Sequence, residues 1–179
     1  MDLRETPISA HYEYEGRIIN MRADDARMPN GTIAKREVVE HPGGVGVIAL
    51  TDEGEVLLVQ QYRYPYGEVL VEIPAGKLDA PDEDRLSAIQ RELREETGYS
   101  ADEWIPLGDF HPAPAYSDEY ITMYLARGLH QGRQALDEDE FLDVYTVPLQ
   151  ELIRDVMDGR ISDAKTQVAV LKAARMLEL

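Results

Sequence analysis

The chain has 179 residues, with 18 lysines and arginines against 35 aspartates and glutamates, a formal charge of −17 at pH 7 and no cysteine. This length is enough for one domain with a full core, or for a domain and a small appendage. The lack of cysteine excludes disulfide frameworks and thiolate chemistry, and the negative charge disfavours nucleic-acid binding, which needs a basic surface.

The start of the chain gives an expectation about location. Residues 1–16 contain no apolar signal core, and no run in the chain approaches membrane-spanning length. We therefore expect a cytoplasmic protein with no membrane partner.

Residues 1–44 are predicted to form a separate strand region. Strand-like segments at 11–20 and 32–41 flank a polar turn at Pro29-Asn30-Gly31. Hydrophobic residues are too sparse here for an independent core. We expect this region to pack against the rest of the chain, residues 45–179, or against a second copy of it.

The next part of the chain alternates short β-rich segments with turns. Strands are predicted at 45–50, 56–62 and 69–73, with turns at 52–54 and 65–67. Gly44-Val45-Gly46 mimics a dinucleotide-binding loop, but the residues that follow are β-branched and do not start a helix. We expect a turn at these glycines and no dinucleotide site.

A helix is predicted between Gly76 and Tyr99. Asp82 or Asp84 can cap its start and Gly98 its end. The apolar stripe at helical spacing consists of Leu86, Ile89 and Leu93. These residues specify the helix without help from its later glutamates.

Three carboxylates share one face of this helix. Glu92, Glu95 and Glu96 lie three or four positions apart, so they repel one another unless a cation lies between them. Carboxylate oxygens suit hard cations such as Mg²⁺ and Mn²⁺, which bind together with substrate phosphates. The alternative, a solvated charged face, explains the cluster less well.

The remainder of the chain completes an α+β or α/β sandwich. Strands are predicted at 104–110, 120–126 and 141–147. Pro148 and Gly159 bracket a first terminal helix, whose apolar face is Leu149, Leu152, Ile153 and Val156. The second terminal helix has its apolar face at Val170, Ala174 and Leu177.

The glutamate helix resembles the signature of the Nudix hydrolases. Its second half, Arg91 to Gly98, matches in register, with Tyr99 where an aliphatic residue is usual. The first half departs, because six residues instead of five separate Gly76 from Glu83. A one-residue insertion in the loop accounts for this, since loops absorb length changes easily. In the alternative, Asp82 takes the place of Glu83.

The wider resemblance is to the ADP-ribose pyrophosphatase branch of that family. It rests on residues 36–42, 60–63, 72–76 and 163–166, and on a proline fifteen residues beyond Tyr99. The resemblance implies an α/β fold, a Nudix-type α/β/α sandwich with an added N-terminal antiparallel strand region. It also implies a homodimer and a small-molecule nucleotide-sugar substrate, with ADP-ribose as first choice.

The resemblance implies three sets of site residues. The metal-binding set, for Mg²⁺ or Mn²⁺, is Ala75 through its carbonyl, Glu92, Glu95 and Glu96. The substrate-binding set is Arg36, Arg63, Pro114 and Glu119. The catalytic set is Glu95 with Glu138 and Glu140, from an acidic loop that supplies the general base. An ion pair is the alternative role for each arginine, and a solvated loop acid is the alternative for Glu119 and for the acidic loop.

The reaction implied is attack of a metal-activated water on one phosphorus of the diphosphate, which gives AMP and ribose 5-phosphate. Other substrates stay open within the same family: GDP-mannose, a dinucleoside polyphosphate, NADH or a nucleoside triphosphate. A domain that binds a nucleotide sugar without cleaving it is the alternative from a different functional class.

Overall fold

A computed structural model describes residues 2–80, 82–138 and 140–179 of the chain. It divides into two compact units. The first runs up to Gly43 and includes His111–Tyr120, and the second comprises Gly44–Phe110 and Ile121–Leu179.

The first unit is built on an antiparallel sheet in the order β1-β2-β3. Its strands are β1 (Thr6–Glu15), β2 (Asn20–Arg27) and β3 (Ile33–Glu40). The predicted turn at Pro29–Gly31 is confirmed. The predicted strand at 11–20 is wrong in its second half, because the Gly16 amide donates to the Ile19 carbonyl at 3.0 Å and closes a turn there. The sequence did not predict β2, which is rich in charged residues and is held by pairing on both sides.

The segment His111–Tyr120 adds to the edge of this sheet. The Val39 amide donates to the Tyr116 carbonyl at 2.7 Å, and the Asp118 amide donates to the Val39 carbonyl at 3.2 Å. Among the described residues of this unit, Ala26 is the one buried hydrophobic side chain. The sheet therefore has almost no core of its own.

The second unit contains two further sheets, ordered β10-β5-β6 and β7-β4-β9-β8. Its strands are β4 (Gly44–Ala49), β5 (Glu55–Arg63), β6 (Glu68–Glu72), β7 (Ala75–Lys77), β8 (Tyr99–Phe110), β9 (Ile121–Gln131) and β10 (Leu142–Pro148). Its helices are α1 (Arg85–Thr97), α2 (Leu149–Met157) and α3 (Ala164–Met176). No helix among the described residues is both long enough and apolar enough to span a bilayer.

Two hydrophobic cores flank the strands of this unit. On β4, Val45 and Val47 face the core that α1 covers, whereas Ile48 faces the core that α2 and α3 cover. Successive side chains of a strand point to opposite faces, so one strand supplies both cores. Helices on both sides of the strands confirm the predicted α/β/α sandwich.

The predicted turn at Gly44-Val45-Gly46 is wrong, because these residues begin β4. A side chain at Gly46 would approach Ile73 Cδ1 to 3.2 Å, and one at Gly44 would approach the Gly76 carbonyl to 3.2 Å. The glycines therefore permit close packing beside β7, a short strand that the sequence did not predict.

Helix α1 begins and ends as its sequence predicts. Asp84 caps it by accepting from the Ser87 amide at 2.8 Å. Gly98, at φ 78°, ends it in the left-handed conformation. Ala88, Ile89 and Leu93 are fully buried, which fixes the rotation of the helix and the direction in which its glutamates point.

Candidate active site at the glutamate helix

Glu96 is a buried carboxylate on the inner side of α1, with 3% of its surface exposed. Its Oε2 accepts a hydrogen bond from the Ala75 amide at 3.0 Å, which ties the helix to β7. Burial, with the charges of Glu140 and Glu92, raises the pKa of Glu96 to about 8, although the Ala75 amide opposes this. A nearby cation would restore its charge at neutral pH.

Glu92 lies against the backbone of β7. A side chain at Gly76 would overlap the Glu92 carboxyl group, so only glycine allows this approach. Burial raises the pKa of Glu92, with added repulsion from Glu95 and Glu140, while Arg91 opposes the shift. The position of the Glu92 carboxyl group thus requires glycine at residue 76.

Arg91 links the acidic side chains of this cluster. Its Nη1 donates to Glu92 at 2.9 Å and to Glu95 at 3.3 Å, and its Nη2 donates to Glu83 at 3.3 Å. Glu83 in turn accepts from the Asp79 amide at 2.8 Å. Glu83, and not Asp82, therefore contacts Arg91 despite the extra loop residue.

The acidic loop after β9 brings Glu140 to the same cluster. Glu140 is partly buried and Glu138 is exposed, while Asp139 lies outside the described residues. Burial raises the pKa of Glu140, and so do the charges of Asp137 and Glu95. Because Glu140 also raises the pKa values of Glu92 and Glu96, it is the loop glutamate that acts on the helix carboxylates.

Arg63 lies beside this cluster and is held by a buried carboxylate. Its Nε and Nη2 donate to the two oxygens of Glu72 at 2.6 and 2.7 Å. Burial would raise the pKa of Glu72, but its bonds to Arg63 and Lys165 outweigh burial and lower it. An ion pair was the alternative role for Arg63, and Arg63 makes that ion pair with Glu72. The positive charge of Arg63 also acts on Glu96 and Glu140.

Lys165 completes this network from the start of α3. It pairs with Glu72, and its Nζ lies 3.0 Å from Asp163 Oδ1. Asp163 caps α3 through the Thr166 amide at 2.9 Å, and the Thr166 hydroxyl accepts from the Ile73 amide at 2.9 Å. Glu72 and Lys165 belong to the motifs at 72–76 and 163–166, but neither residue has a role that its local sequence predicts. Their adjacency comes from the fold.

The described residues contain no group of three or more His, Asp or Glu side chains arranged to hold a metal ion as they stand. Arg91 holds Glu92 and Glu95, and the Ala75 amide holds Glu96. The donor set nevertheless fits a hard divalent cation in its chemistry, because it consists of carboxylate oxygens, and the charge of Glu95 raises the pKa of Glu92 while that of Glu92 raises the pKa of Glu96.

Replacing Gly76 with alanine tests this arrangement. The new methyl group would displace the Glu92 carboxylate, so we expect Mn²⁺ affinity to fall about 10- to 100-fold, the range for losing a group that orients a metal ligand. Titration of Mn²⁺ followed by electron paramagnetic resonance measures this. Circular dichroism of the variant controls for folding, and unchanged affinity in a folded variant would contradict a metal site at Glu92.

Two predicted substrate-binding residues lie in the first unit, where they line one cleft. This cleft has a volume of about 280 Å³, and both Arg36 and Pro114 contribute to its wall. Arg36 donates to the two oxygens of Glu5, each at 2.8 Å. Arg36 thus makes an ion pair with Glu5, and an ion pair was the alternative role predicted for it. Asp24 lines the same cleft, and its Oδ1 is the buried side-chain atom without a hydrogen-bond partner among the described residues.

Glu119 lies on the same segment as Pro114. Its Oε1 is 3.5 Å from Nδ1 of His41, and its amide donates to the Ser117 hydroxyl at 3.1 Å. Its side chain is 28% exposed. The Glu119 side chain is therefore partly buried beside His41.

Comparison with known proteins gives two family matches that together span most of the chain. The NUDIX domain matches residues 40–167, and the nucleoside diphosphate sugar hydrolase N-terminal domain matches residues 5–39. The boundary between the two matches falls at the end of β3.

Individual relatives agree with these matches. The chain is 43% identical over 168 residues to the methanol dehydrogenase activator of Bacillus methanolicus, covering 93% of this chain and 90% of that protein. It is 40% identical over 170 residues to the ADP-ribose pyrophosphatase of Bacillus subtilis strain 168, covering 94% and 91%. A solved structure described as an ADP compounds hydrolase superposes with a TM-score of 0.86 at 22% identity, covering 99% of this chain and 97% of that one, and so supports the fold. The glutamate helix, the sandwich around it and these matches show that the chain belongs to the Nudix hydrolase family.

Proposed function

We propose that the protein hydrolyses ADP-ribose, with water, to AMP and ribose 5-phosphate. The observation that carries this proposal is that Glu92, Glu96, Glu140 and Arg63 lie close enough in the second unit for their charges to act within one cluster. The 40% identity to an ADP-ribose pyrophosphatase supports the choice of substrate.

Glu92, Glu95, Glu96 and the Ala75 carbonyl would hold the divalent cation, with Mg²⁺ as the physiological ion and Mn²⁺ as a substitute. Such a cation lowers the pKa of a water and neutralises charge that develops on phosphate oxygens. The chain supplies the rest of the chemistry through its own side chains.

Glu140 is the proposed general base. Its carboxylate accepts the proton of the attacking water, and its raised pKa brings it closer to that of an efficient base near neutral pH. The bidentate contact with Glu72 fixes the orientation of the Arg63 guanidinium. Its positive charge is proposed to bind a phosphate oxygen of the substrate beside the helix glutamates. Glu138 is exposed and is not assigned this role.

Arg36, Pro114 and Glu119 are proposed to bind the adenosine and ribose parts of the substrate. The cleft lined by Arg36 and Pro114 supports this for the first two. A guanidinium can stack on adenine or bind phosphate, and a carboxylate such as that of Glu119 can accept from ribose hydroxyls.

A substrate panel tests the proposed function. We expect kcat/KM for ADP-ribose to exceed that for GDP-mannose, a dinucleoside polyphosphate and NADH by about 10-fold or more. GDP-mannose differs in its base, whereas NADH and a dinucleoside polyphosphate carry a second nucleoside that a site fitted to ADP-ribose has to accommodate. Preference for one of the others would reassign the substrate within the family. Binding of ADP-ribose without turnover of any compound would support the sensing domain.

A second candidate function follows from the relative named as an activator. Its 43% identity favours an effect on a methanol dehydrogenase. Adding this protein to that enzyme and measuring formaldehyde formation tests the idea. A stimulation that persists in a variant unable to hydrolyse ADP-ribose would make it a separate activity.

We also propose that the protein is a homodimer, with residues 1–44 as the dimerisation element and residues 45–179 as the catalytic domain. The sheet of the first unit supports this, because its described residues include one buried hydrophobic side chain and exposed ones such as Ile8, Tyr12 and Ile33. Light scattering on the eluting protein should give twice the mass of one chain. A monomer at micromolar concentration would contradict the proposal.

The compartment proposed for this activity is the cytoplasm. A chain without cysteine has no need of an oxidising environment, which supports that location. Fractionation of cells, followed by an immunoblot, tests it, and recovery outside the cytoplasmic fraction would contradict it.

A further inference from the structure

The C-terminal end of α1 is completed by a segment from a distant part of the chain. The last four carbonyls of a helix have no partner within the helix. In α1, the Glu95 carbonyl accepts from the Ala135 amide at 3.0 Å, and the Glu96 carbonyl accepts from the side-chain amide of Gln134 at 2.5 Å. Both carbonyls belong to residues of the proposed metal-binding set.

The same segment touches the helix end closely through two glycines. The Gly132 amide donates to the Gly98 carbonyl at 2.7 Å. A side chain on Gly98 would come within 2.7 Å of the backbone nitrogen of Gln134, and a side chain on Gly132 would come within 3.0 Å of the Gly98 carbonyl oxygen. We call residues 132–135 the docking segment, because its backbone lies directly on the end of α1.

The docking segment leads into the acidic loop. Glu140 follows Ala135 by five residues, and its amide donates to the Asp137 carbonyl at 3.1 Å, which closes a turn within the loop. Glu140 thus lies between two anchors, five residues after the docking segment and two residues before β10, which pairs with β5. Of the contacts of the docking segment to α1 described above, the bond from Gln134 is the one made by a side chain.

We propose that Gln134 is a positioning residue for the reaction. It fixes the start of the acidic loop to the helix that bears the metal-binding glutamates, and so holds Glu140 at the reacting water. This inference rests on the proposed function, and specifically on Glu140 as the base. The Gln134 side-chain amide is bonded to the Glu96 carbonyl and is not available to a reacting atom. Gln134 therefore acts through the position of Glu140.

The test is a double-mutant cycle with Gln134→Ala and Glu140→Gln, measured as kcat for ADP-ribose at saturating Mg²⁺. Loss of one partly exposed hydrogen bond should lower kcat about fivefold in the wild-type background, with KM changed by less than about twofold. In the Glu140→Gln background, Gln134→Ala should have almost no further effect, because the base that it positions is already gone.

Gln167→Ala is the matched control. Its side-chain amide also donates to a backbone carbonyl, that of Ile161 at 2.7 Å, but in the connection between α2 and α3. We expect kcat within about twofold of wild type for this variant. The same fold loss from Gln134→Ala in both backgrounds, or no loss in the wild type, would overturn the proposal.

Hydrogen exchange gives a readout that does not depend on substrate. Peptides that contain the Ala135 amide should be protected in the wild type and exchange about fivefold faster in Gln134→Ala. Wild-type turnover in Glu140→Gln would overturn both the base and its positioning by Gln134, while the hydrolase assignment would stand. Absence of turnover on every substrate would reject the proposed function, and a docking segment unprotected in the wild type would separately reject the attachment.

Discussion

Replacing Glu96 with glutamine should lower Mg²⁺-dependent turnover of ADP-ribose by about 10²- to 10³-fold, the cost of losing one preorganised electrostatic contact at the reacting group. Glu96 is buried and accepts a hydrogen bond from the Ala75 amide, and the charges of Glu92 and Glu140 act on it. Glutamine keeps the shape of the side chain but cannot supply a negative oxygen. Steady-state kinetics over a range of Mg²⁺ concentrations measure the loss.

The same variant should remain folded, and the pKa gives the reason. Burial first, and then Glu140 and Glu92, raise the pKa of Glu96 from its ordinary 4.5 to about 8. Since the folded state binds this proton more tightly than the unfolded state, the contribution of Glu96 to the unfolding free energy falls as pH rises from 4.5 to 8. Above pH 8 and without divalent cations, the variant should therefore have a Tm no lower than that of the wild type. A large drop in Tm would mean that lost activity reflects lost structure.

Replacing Glu140 with glutamine should reduce kcat by about 10²- to 10⁴-fold, the value of a positioned general base. Glu140 is partly buried and acts electrostatically on Glu92 and Glu96. Its neighbour Glu138 is exposed, and Glu138→Gln should change kcat by less than about twofold. The pair is matched in chemistry and in loop position, so the comparison isolates the base.

The pH dependence adds a second check on this assignment. If Glu140 accepts the proton of the attacking water, the acidic limb of the kcat profile should follow its raised pKa and disappear in Glu140→Gln. Equal activity of the two glutamine variants would contradict the assignment, and so would a greater loss in Glu138→Gln.

Much of the second unit was predictable from local sequence. Helix α1 has its cap, its apolar stripe and its terminal glycine at the predicted places because these signals act over one or two turns. The strands β5, β6 and β10 were predicted to within one residue at each end, since they combine β-branched residues with clear turns.

Strand β2 and the glycines of β4 were missed for a different reason, while β8 starts and β9 ends five residues beyond their predicted bounds. Strand β2 contains Asp24 and Asp25 and shows little β propensity, so its pairing partners on both sides decide its structure. The glycines of β4 were predicted to form a turn because nothing in the local sequence shows that another strand packs beside them. That strand is β7, which has only three residues and was not predictable from its own sequence. Tertiary contacts outweighed local preference in both places.

The candidate site likewise has a part that local sequence predicts and a part that only the fold brings together. The three helix glutamates are spaced within one motif, so their common face was predictable. Glu72 and Lys165 are 93 residues apart, and Gln134 and Glu96 are 38 apart. No local pattern shows such contacts, and the sequence could name Arg63 but not the carboxylate that holds it.

The measurement that tests the central claim most directly is chromatographic identification of the products formed from ADP-ribose by the wild-type protein, with Mg²⁺ and with a chelator. We predict AMP and ribose 5-phosphate in equal amounts when Mg²⁺ is present and neither when it is chelated. Absence of AMP at any Mg²⁺ or Mn²⁺ concentration, or its formation at the same rate in the chelator, would contradict a metal-dependent hydrolase of ADP-ribose at the glutamate helix.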